Sequence, residues 1–332
     1  MTQGQAAPRS AIAAGCIASL DPLVVVAKRD TRLPLGLASL APERFLQTPS
    51  LHFIGLARSY EDRIEIDALR NDLSEAERTL PLAHFVMMAN TPAESIRFSQ
   101  AAILNILANE LIFVDERIFV PPPRSAQPAK AFDAVYVARF DAFKRHELAR
   151  AIDKLLLVYD RPQLADIERV KSTLPRAHFA NHESNAGAYR YFSREAIRDL
   201  LHQASIGLCL SAVEGAMRAS LEYRFCGMPV VSTKSVGGRD RYLLGPHVRV
   251  VNDDPDAVAA AVRELKERNF DPHAVREYVG QLIAFDRHNF LISVNKIVER
   301  TLGARDRFRD FAPFAGEPVR WRPTDEILAA VG

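Results

Sequence analysis

The chain has 332 residues, of which 48% are hydrophobic, and its 43 Lys and Arg residues nearly balance its 41 Asp and Glu residues. This length favours two domains, and the hydrophobic content supplies a sizeable core, which argues against a disordered chain. The small net charge of +2 gives no reason to expect nucleic acid as a partner. No run of about twenty apolar residues occurs, so no membrane span is expected, and only peripheral contact with a membrane is compatible with the sequence.

The cysteines give a further indication of compartment. Cys16, Cys209 and Cys226 are odd in number and do not follow the spacing of a metal site. Cys209 and Cys226 lie in apolar segments, which is typical of reduced thiols in a protein core. We therefore expect a reducing, cytoplasmic location.

The first part of the sequence predicts an α/β domain over residues 1–120. Short apolar segments alternate with segments of helical composition, which favours a parallel sheet with helical crossovers. The predicted strands are residues 23–27, 51–56, 83–89 and 111–114. Residues 10–20 are only mildly apolar and are expected to be a helical or poorly ordered start. No glycine-rich loop follows the first strand, which argues against a dinucleotide-binding site.

Residues 121–130 are the predicted linker, because the consecutive prolines at its start are stiff and cannot continue a sheet. A second α/β domain is expected over residues 131–300, followed by a tail, residues 301–332, that packs across the domains. The predicted strands of the second domain are residues 132–138, 154–159, 177–181, 206–210, 230–233 and 248–251. A helix is also expected over residues 144–153.

The most informative segment is residues 204–240, which predicts a strand, a loop, a helix, a second strand and a second loop. Glu214 lies in the first loop, and Glu222 lies eight residues later in the helix, which Gly227 is suited to end. Open α/β sheets bind ligands in loops of this kind, at the carboxyl ends of strands. Two glutamates at this spacing are by themselves more typical of solvated residues or of salt bridges, here with Arg218 as a partner for both.

The wider pattern changes that interpretation. A loop of small residues is followed by Glu, seven residues, Glu, a helix-ending Gly, Met-Pro, a β-branched strand and Gly-Gly. This order resembles the donor-site signature of retaining glycosyltransferases of the GT-B architecture, especially the GT4 family. The specific resemblance covers roughly residues 131–270. It implies the GT-B fold, in which two Rossmann-like domains with parallel sheets face a central cleft.

The resemblance also implies an activity. Members of the family transfer a sugar from a nucleotide-diphosphate sugar and need no cofactor and no bound metal, because cationic side chains supply the positive charge. The expected acceptor is a carbohydrate or a lipid-linked molecule, and the expected setting is the synthesis of cell-surface polysaccharide or glycolipid. The nucleotide, the sugar, the acceptor-site residues and the oligomeric state are not predicted.

Site residues follow from the same resemblance. Glu214 would contact the transferred sugar, and Glu222 would hold the ribose hydroxyls of the nucleotide. Arg139 and Lys144, which follow the first strand of the second domain five residues apart, would clamp the donor diphosphate. Further donor contacts are implied for Gly215, Ala216, Met217, Gly237 and Gly238.

Two features depart from the family pattern. Tyr223 directly follows the second glutamate, where a small residue is usual, and it would either crowd the pocket or pack in the core. The first domain is also short, which keeps open a non-catalytic GT-B-like binding or scaffold protein. Another nucleotide-sugar enzyme, such as an epimerase, is a further alternative. The presence of all four charged residues of the signature favours a transferase.

Overall fold

The computed structural model describes residues 12–29, 33–61, 63–125, 128–183, 188–315 and 320–331. Within these ranges the strands are β1 (Ile12–Leu20), β2 (Leu23–Arg29), β3 (Ser50–Leu56), β4 (Ala83–Ala89), β5 (Asn105–Leu107), β6 (Phe132–Val137), β7 (Leu155–Val158), β8 (His178–Phe179), β9 (Ala204–Cys209), β10 (Val230–Thr233), β11 (Val248–Val251) and β12 (Trp321–Pro323). The α-helices are α1 (Leu37–Leu40), α2 (Arg63–Thr79), α3 (Pro92–Gln100), α4 (Leu164–Thr173), α5 (Ala180–Glu183), α6 (Arg194–Leu201), α7 (Arg218–Phe225), α8 (Pro255–Glu267), α9 (Pro272–Leu302) and α10 (Thr324–Leu328). Short 3₁₀ helices lie at Pro42–Phe45, Glu110–Phe113, Ala142–Lys144, His146–Ala149, Gly238–Tyr242 and Ala312–Phe314.

These elements form two compact units, each built around its own sheet. The second unit is the continuous segment Val114–Phe285, whereas the first unit combines Met1–Phe113 with Asp286–Gly332. The end of α9 and the expected tail therefore both belong to the first unit, and the expected second domain, residues 131–300, extends past the second unit. That the tail packs across both domains stays a prediction. In the described residues, no helix combines the length and the apolar content needed to cross a membrane.

The sheet of the first unit has the strand order β12-β1-β2-β3-β4-β5. Strands β2 to β5 are parallel, as the alternation of strands and helices predicts. Strand β1 pairs antiparallel with β2, and β12 pairs antiparallel with β1. The expectation of a helical or poorly ordered start is wrong over the described residues, which form β1. Gly15 permits the close approach of the two strands, since a Cβ at this position would lie only 2.9 Å from the Val26 carbonyl oxygen of β2.

The first sheet is covered on both faces. Strand residues such as Ile54 belong to the same buried hydrophobic cluster as Leu69 and Leu73 of α2. Phe53, the neighbour of Ile54 in β3, points to the opposite face and contacts Phe290 of α9 at a ring-centroid distance of 6.2 Å. The strand expected at residues 111–114 is instead part of a buried 3₁₀ helix, and the edge strand is β5. A short apolar run does not by itself separate a strand from another buried segment.

The sheet of the second unit is wholly parallel, with the order β11-β10-β9-β6-β7-β8. The chain enters at β6 in the middle of the sheet and builds outwards through β7 and β8. It then returns to β9, on the other side of β6, and builds outwards again through β10 and β11. The connections from β6 and β9 therefore leave in opposite directions, which makes a topological switch point between these two strands. Ligands of open α/β sheets bind at such a point, outside the carboxyl ends of the strands.

Candidate donor site

Three loops of the second unit meet at the switch point: those after β6, β9 and β10. The Ala212 amide donates to the Phe143 carbonyl at 2.9 Å, which joins the loop after β9 to the loop after β6. The Val236 amide donates to the Ala212 carbonyl, and the Glu214 amide donates to the Val236 carbonyl, each at 2.9 Å. The loops therefore form one hydrogen-bonded layer along the carboxyl edge of the sheet.

Lys144 and Glu214 meet in this layer as an ion pair between Nζ and Oε1, and their side chains are only 8% and 12% exposed. The second carboxylate oxygen of Glu214, Oε2, accepts a hydrogen bond from Ser211 Oγ at 2.5 Å. The Tyr136 hydroxyl donates to the Lys144 carbonyl at 2.7 Å and so fixes the backbone beneath the lysine. Two of the residues that the sequence singles out are thus brought together, 70 residues apart in the chain.

The backbone around Lys144 is not the helix expected over residues 144–153. Two 3₁₀ helices occur instead, separated by Arg145, which has a φ of 53°. This left-handed conformation costs an L-residue about 1–2 kcal/mol. In this conformation the Arg145 guanidinium donates to the Leu210 carbonyl at 2.6 Å and to the Thr233 hydroxyl at 2.7 Å. The guanidinium also donates to the Asp253 carboxylate at 2.5 Å. Arg145 therefore ties together the ends of β9, β10 and β11, a role that no spacing in the sequence indicates.

Arg139 lies differently from Lys144. Its side chain is 64% exposed and pairs with Asp141 at 2.9 Å. The structure therefore places Arg139 at the surface and not within the buried ion pair.

Glu222 lies on α7, eight residues after Glu214 and half-buried. Burial raises the pKa of its carboxyl group, whereas the positive charges of Arg218 and Arg194 lower it. The helix begins at Arg218, and Gly215, Ala216 and Met217 form the buried approach to it, with Met217 at the N-cap. Gly227 follows the helix with a φ of 77°, in the left-handed conformation that the sequence predicts for it.

Tyr223 packs in the core. It is fully buried, and its hydroxyl accepts a hydrogen bond from the Val137 amide at 2.7 Å. Its ring occupies the space that Gly207 leaves on β9, where a Cβ would lie 2.4 Å from a ring carbon. The large side chain that departs from the family pattern at this position is therefore accommodated by Gly207 on β9.

Gly237 begins the turn after β10 with a φ of 99°, a conformation that favours glycine. Gly238 opens the 3₁₀ helix that follows, and this helix brings Arg239 below the loop of Glu214. The Arg239 amide donates to the Glu214 carbonyl at 3.3 Å. The Arg239 side chain is fully buried and contacts the Ser211 carbonyl and, at 2.9 Å, the Ser232 hydroxyl. Sequence reasoning missed both Ser211 and Arg239, because side chains that bond to distant loops leave no periodic signal.

Among the residues that the structure describes, no cluster of three or more His, Cys, Asp or Glu side chains is placed to hold a metal ion. That the protein needs neither a metal nor another cofactor stays a prediction.

Comparison with known protein families gives a match over part of the second unit. Residues 133–268 match the model of the family described as Glycosyl transferases group 1. This segment contains the second sheet except for Phe132, the first residue of β6, and it contains every candidate site residue named above. No curated protein sequence matches the chain.

Several solved glycosyltransferase structures share the fold. HepE of Anabaena, in complex with UDP and glucose, is 17% identical with a TM-score of 0.55, and the match covers 84% of this chain and 77% of HepE. Sucrose-phosphate synthase from Thermosynechococcus elongatus is 17% identical with a TM-score of 0.57, over 84% of this chain and 74% of the synthase. An α,α-trehalose-phosphate synthase from Burkholderia xenovorans is 11% identical with a TM-score of 0.52, over 82% of this chain and 73% of that chain.

The narrower GT4 assignment stays a prediction. The fold and the segment match are broader findings: the chain has the GT-B fold of these structures, and its residues 133–268 match the glycosyl transferases group 1 family.

Proposed function

We propose that this protein is a retaining glycosyltransferase that moves a sugar from a nucleotide-diphosphate sugar to a hydroxyl group of an acceptor. The observation that carries the proposal is the buried Lys144–Glu214 pair at the switch point of the second sheet. A buried cation and carboxylate at a ligand-binding edge are costly unless they interact with each other or with a ligand. Glu222 lies about two helical turns further along α7 and supplies the second carboxylate of the site.

The proposed roles follow from the chemistry of transfer. The bond between the anomeric carbon of the sugar and the diphosphate oxygen breaks, and the leaving nucleotide diphosphate keeps the electron pair. The acceptor oxygen bonds to the same carbon, and its proton passes to the leaving phosphate oxygen. Lys144 is suited to stabilise the growing negative charge, because an ammonium group has three N–H donors and Glu214 occupies one of them.

The two glutamates have separate roles in this proposal. Glu214 contacts the transferred sugar near its reacting carbon, and Glu222 accepts hydrogen bonds from the ribose hydroxyls of the nucleotide. Arg139 is exposed and pairs with Asp141, and its proposed role is a second contact with the donor diphosphate. The positive charge therefore comes from side chains, and the proposal includes no metal.

The donor and the setting are part of the same proposal. HepE has been solved with UDP and with UDP-glucose, so UDP is the first nucleotide to test. The proposed acceptor is a carbohydrate or a lipid-linked molecule used in the synthesis of cell-surface polysaccharide or glycolipid, and the proposed location is cytoplasmic.

The test measures the thermal stability of the pure protein with UDP, GDP, ADP and their sugar conjugates. A ligand at 100 times its Kd adds about 2.7 kcal/mol to the stability of the folded state. We expect a shift with one nucleotide in the wild type, and its loss in Glu222→Gln and in Lys144→Met. Glu267→Gln and Lys154→Met, which change exposed residues of the second unit, are the matched controls and should keep the shift.

Release of nucleotide diphosphate from the conjugate that binds would then establish the enzyme. A well-folded wild-type protein that shifts with none of these ligands would contradict the proposal and favour the scaffold alternative.

A further inference from the structure

The carboxylate of Glu214 is held from two sides. Lys144 contacts Oε1, and Ser211 donates to Oε2 at 2.5 Å. Ser211 is itself fully buried at the end of β9, three residues before the glutamate. Its hydroxyl is the only uncharged donor that the described contacts give to this carboxylate.

Arg239 lies on the other side of Ser211. Its guanidinium is fully buried and binds the Ser211 carbonyl through Nη1, which also lies 3.4 Å from Ser211 Oγ. The other terminal nitrogen, Nη2, donates to Ser232 Oγ at 2.9 Å and to the Thr233 carbonyl at the end of β10. Nε pairs with Asp240 at 2.7 Å. Arg239 is therefore fixed by contacts on all three of its guanidinium nitrogens.

The chemistry of these groups sets the direction of the hydrogen bonds. A guanidinium group only donates, so Ser211 Oγ can act towards Arg239 only as an acceptor. An ionised carboxylate only accepts, so the Ser211 proton points to Glu214. The sequence of donors is Arg239 to Ser211 to Glu214, and it ends at the carboxylate that Lys144 holds from the other side.

We propose that Ser211 and Arg239 are positioning residues, which fix the orientation of the Glu214 carboxylate in the donor site. The inference rests on the proposed function, because it assigns these residues to the same site and the same reaction. The last torsion of a glutamate side chain is broad and weakly restricted, so one contact with Lys144 does not define the plane of the carboxylate. The Ser211 hydrogen bond defines it. Neither Ser211 nor Arg239 needs to touch the substrate for this role.

The test compares Ser211→Ala, Ser211→Thr and the wild type. Ser235→Ala is the matched control, because Ser235 lies in the adjacent loop and donates to the Ala212 carbonyl and not to Glu214. Misplacement of a catalytic group by about 1 Å lowers rates by about 100-fold. We expect Ser211→Ala to lower kcat by about 10- to 100-fold with the KM for the donor changed less than about twofold, and Ser211→Thr to recover most of the loss.

A second measurement does not depend on activity. The Glu214 carboxyl carbon, labelled with ¹³C and assigned by its loss in Glu214→Gln, reports the hydrogen bonds that this carboxylate accepts. Lys144 remains as its charged neighbour in every variant. Because the carboxylate loses a donor in Ser211→Ala, the chemical shift of this carbon at one fixed pH should change, whereas Ser235→Ala should leave it unchanged. Arg239→Lys, which keeps the charge but not the planar set of donors, should change the chemical shift by a smaller amount.

The two measurements separate the two proposals. If the chemical shift changes in Ser211→Ala but the wild type transfers no sugar, the positioning role stands and the proposed function is wrong. If the wild type is active but Ser211→Ala changes neither the chemical shift nor kcat, the positioning role is wrong and the proposed function stands.

Discussion

At the scale of single residues, buried polar side chains differ in whether they have hydrogen-bond partners. Arg239 is buried with a contact on every guanidinium nitrogen. His146 is buried between the rings of Tyr136 and Phe140, at centroid distances of 4.9 and 5.2 Å. Neither of its ring nitrogens has a hydrogen-bond partner among the described residues. Burial, reinforced by the positive charges of Arg169 and Lys144, lowers the pKa of His146 to about 3.

Replacing His146 by Leu should stabilise the protein. A buried polar group without a partner costs about 1–3 kcal/mol. The native state also excludes a proton that the unfolded chain binds below pH 6.5. The wild type should therefore keep its full stability above this pH and lose up to about 1.4 kcal/mol per pH unit for this group as the pH falls towards 3.

Urea denaturation at pH 7.5 and pH 5.0 checks this expectation. The urea midpoint should decrease less between pH 7.5 and pH 5.0 in His146→Leu than in the wild type. Some decrease should remain in the variant, because His52 also has a pKa lowered to about 3. His288→Leu on the exposed side of α9 is the control and should keep the wild-type slope. Equal slopes in wild type and His146→Leu would contradict the burial argument.

The candidate site could be predicted from the sequence only in part, and the reason lies at this same scale. The resemblance identifies Lys144 and Glu214 as candidate site residues, but it does not predict the ion pair that joins them. Ser211, Arg145 and Arg239 could not be found in this way. Their partners are backbone carbonyls and hydroxyls on other loops, and those contacts exist only once the sheet is assembled.

At the scale of elements, α7 and β9 pack together where a large side chain meets a glycine. The ring of Tyr223 lies against Gly207, and a Cβ on this glycine would lie 2.4 Å from the ring. The same contact lets the Tyr223 hydroxyl reach the amide of Val137 on β6. A helix of only eight residues is thus joined to two strands by one side chain.

Gly207→Ala should therefore destabilise the protein by about 1–3 kcal/mol, the usual cost of overpacking a core. In a Tyr223→Ala background the same substitution should cost less than about 1 kcal/mol, because the overlapping ring is gone. Urea denaturation of the four proteins gives the coupling free energy. Gly280→Ala, where a Cβ on α9 meets no atom within 4 Å, is the control and should be neutral or stabilising. Additive effects of the two substitutions would show that the ring does not fill this space.

Prediction of the strands succeeded in the second sheet, where each of the six strands overlaps a predicted one. Strands β7 and β9 are buried along nearly their whole length and are mostly apolar, as is typical of parallel strands covered on both faces. The same reasoning failed where pairing overrides composition. Strand β1 is rich in small residues and pairs with β2, whereas residues 144–153 contain no glycine or proline but are broken at Arg145, which has a left-handed backbone.

At the scale of the whole molecule, the first unit depends on the far end of the chain. Strand β12 extends its sheet beside β1. The rings of Phe308, Phe311 and Phe314 gather around Phe290 or each other, at centroid distances between 4.8 and 5.9 Å. Phe314 is fully buried. Phe308 and Phe314, which lie in the expected tail, therefore belong to the core of the first unit.

Phe314→Ala should destabilise the first unit by about 3–5 kcal/mol, the usual cost of removing a buried phenyl ring. Phe311→Ala removes a half-buried ring from the same cluster and should cost less. Urea denaturation followed by intrinsic fluorescence measures both, since Trp321 lies on β12 in the first unit. A loss below about 1 kcal/mol for Phe314→Ala would show that the segment is dispensable.

The division of the first unit into two separated segments also affects how the protein is made. During synthesis on the ribosome, all of Val114–Phe285 has left the exit tunnel before the last residues of the first unit are translated. Domains generally fold as units while the chain grows, and the first segment must wait for Phe290, Phe314 and β12 to cover its sheet. We therefore expect the nascent chain to acquire its second unit first and its first unit last, the reverse of their order along the sequence. In that interval the uncovered strands of Met1–Phe113 are the part of the polypeptide that most needs a chaperone.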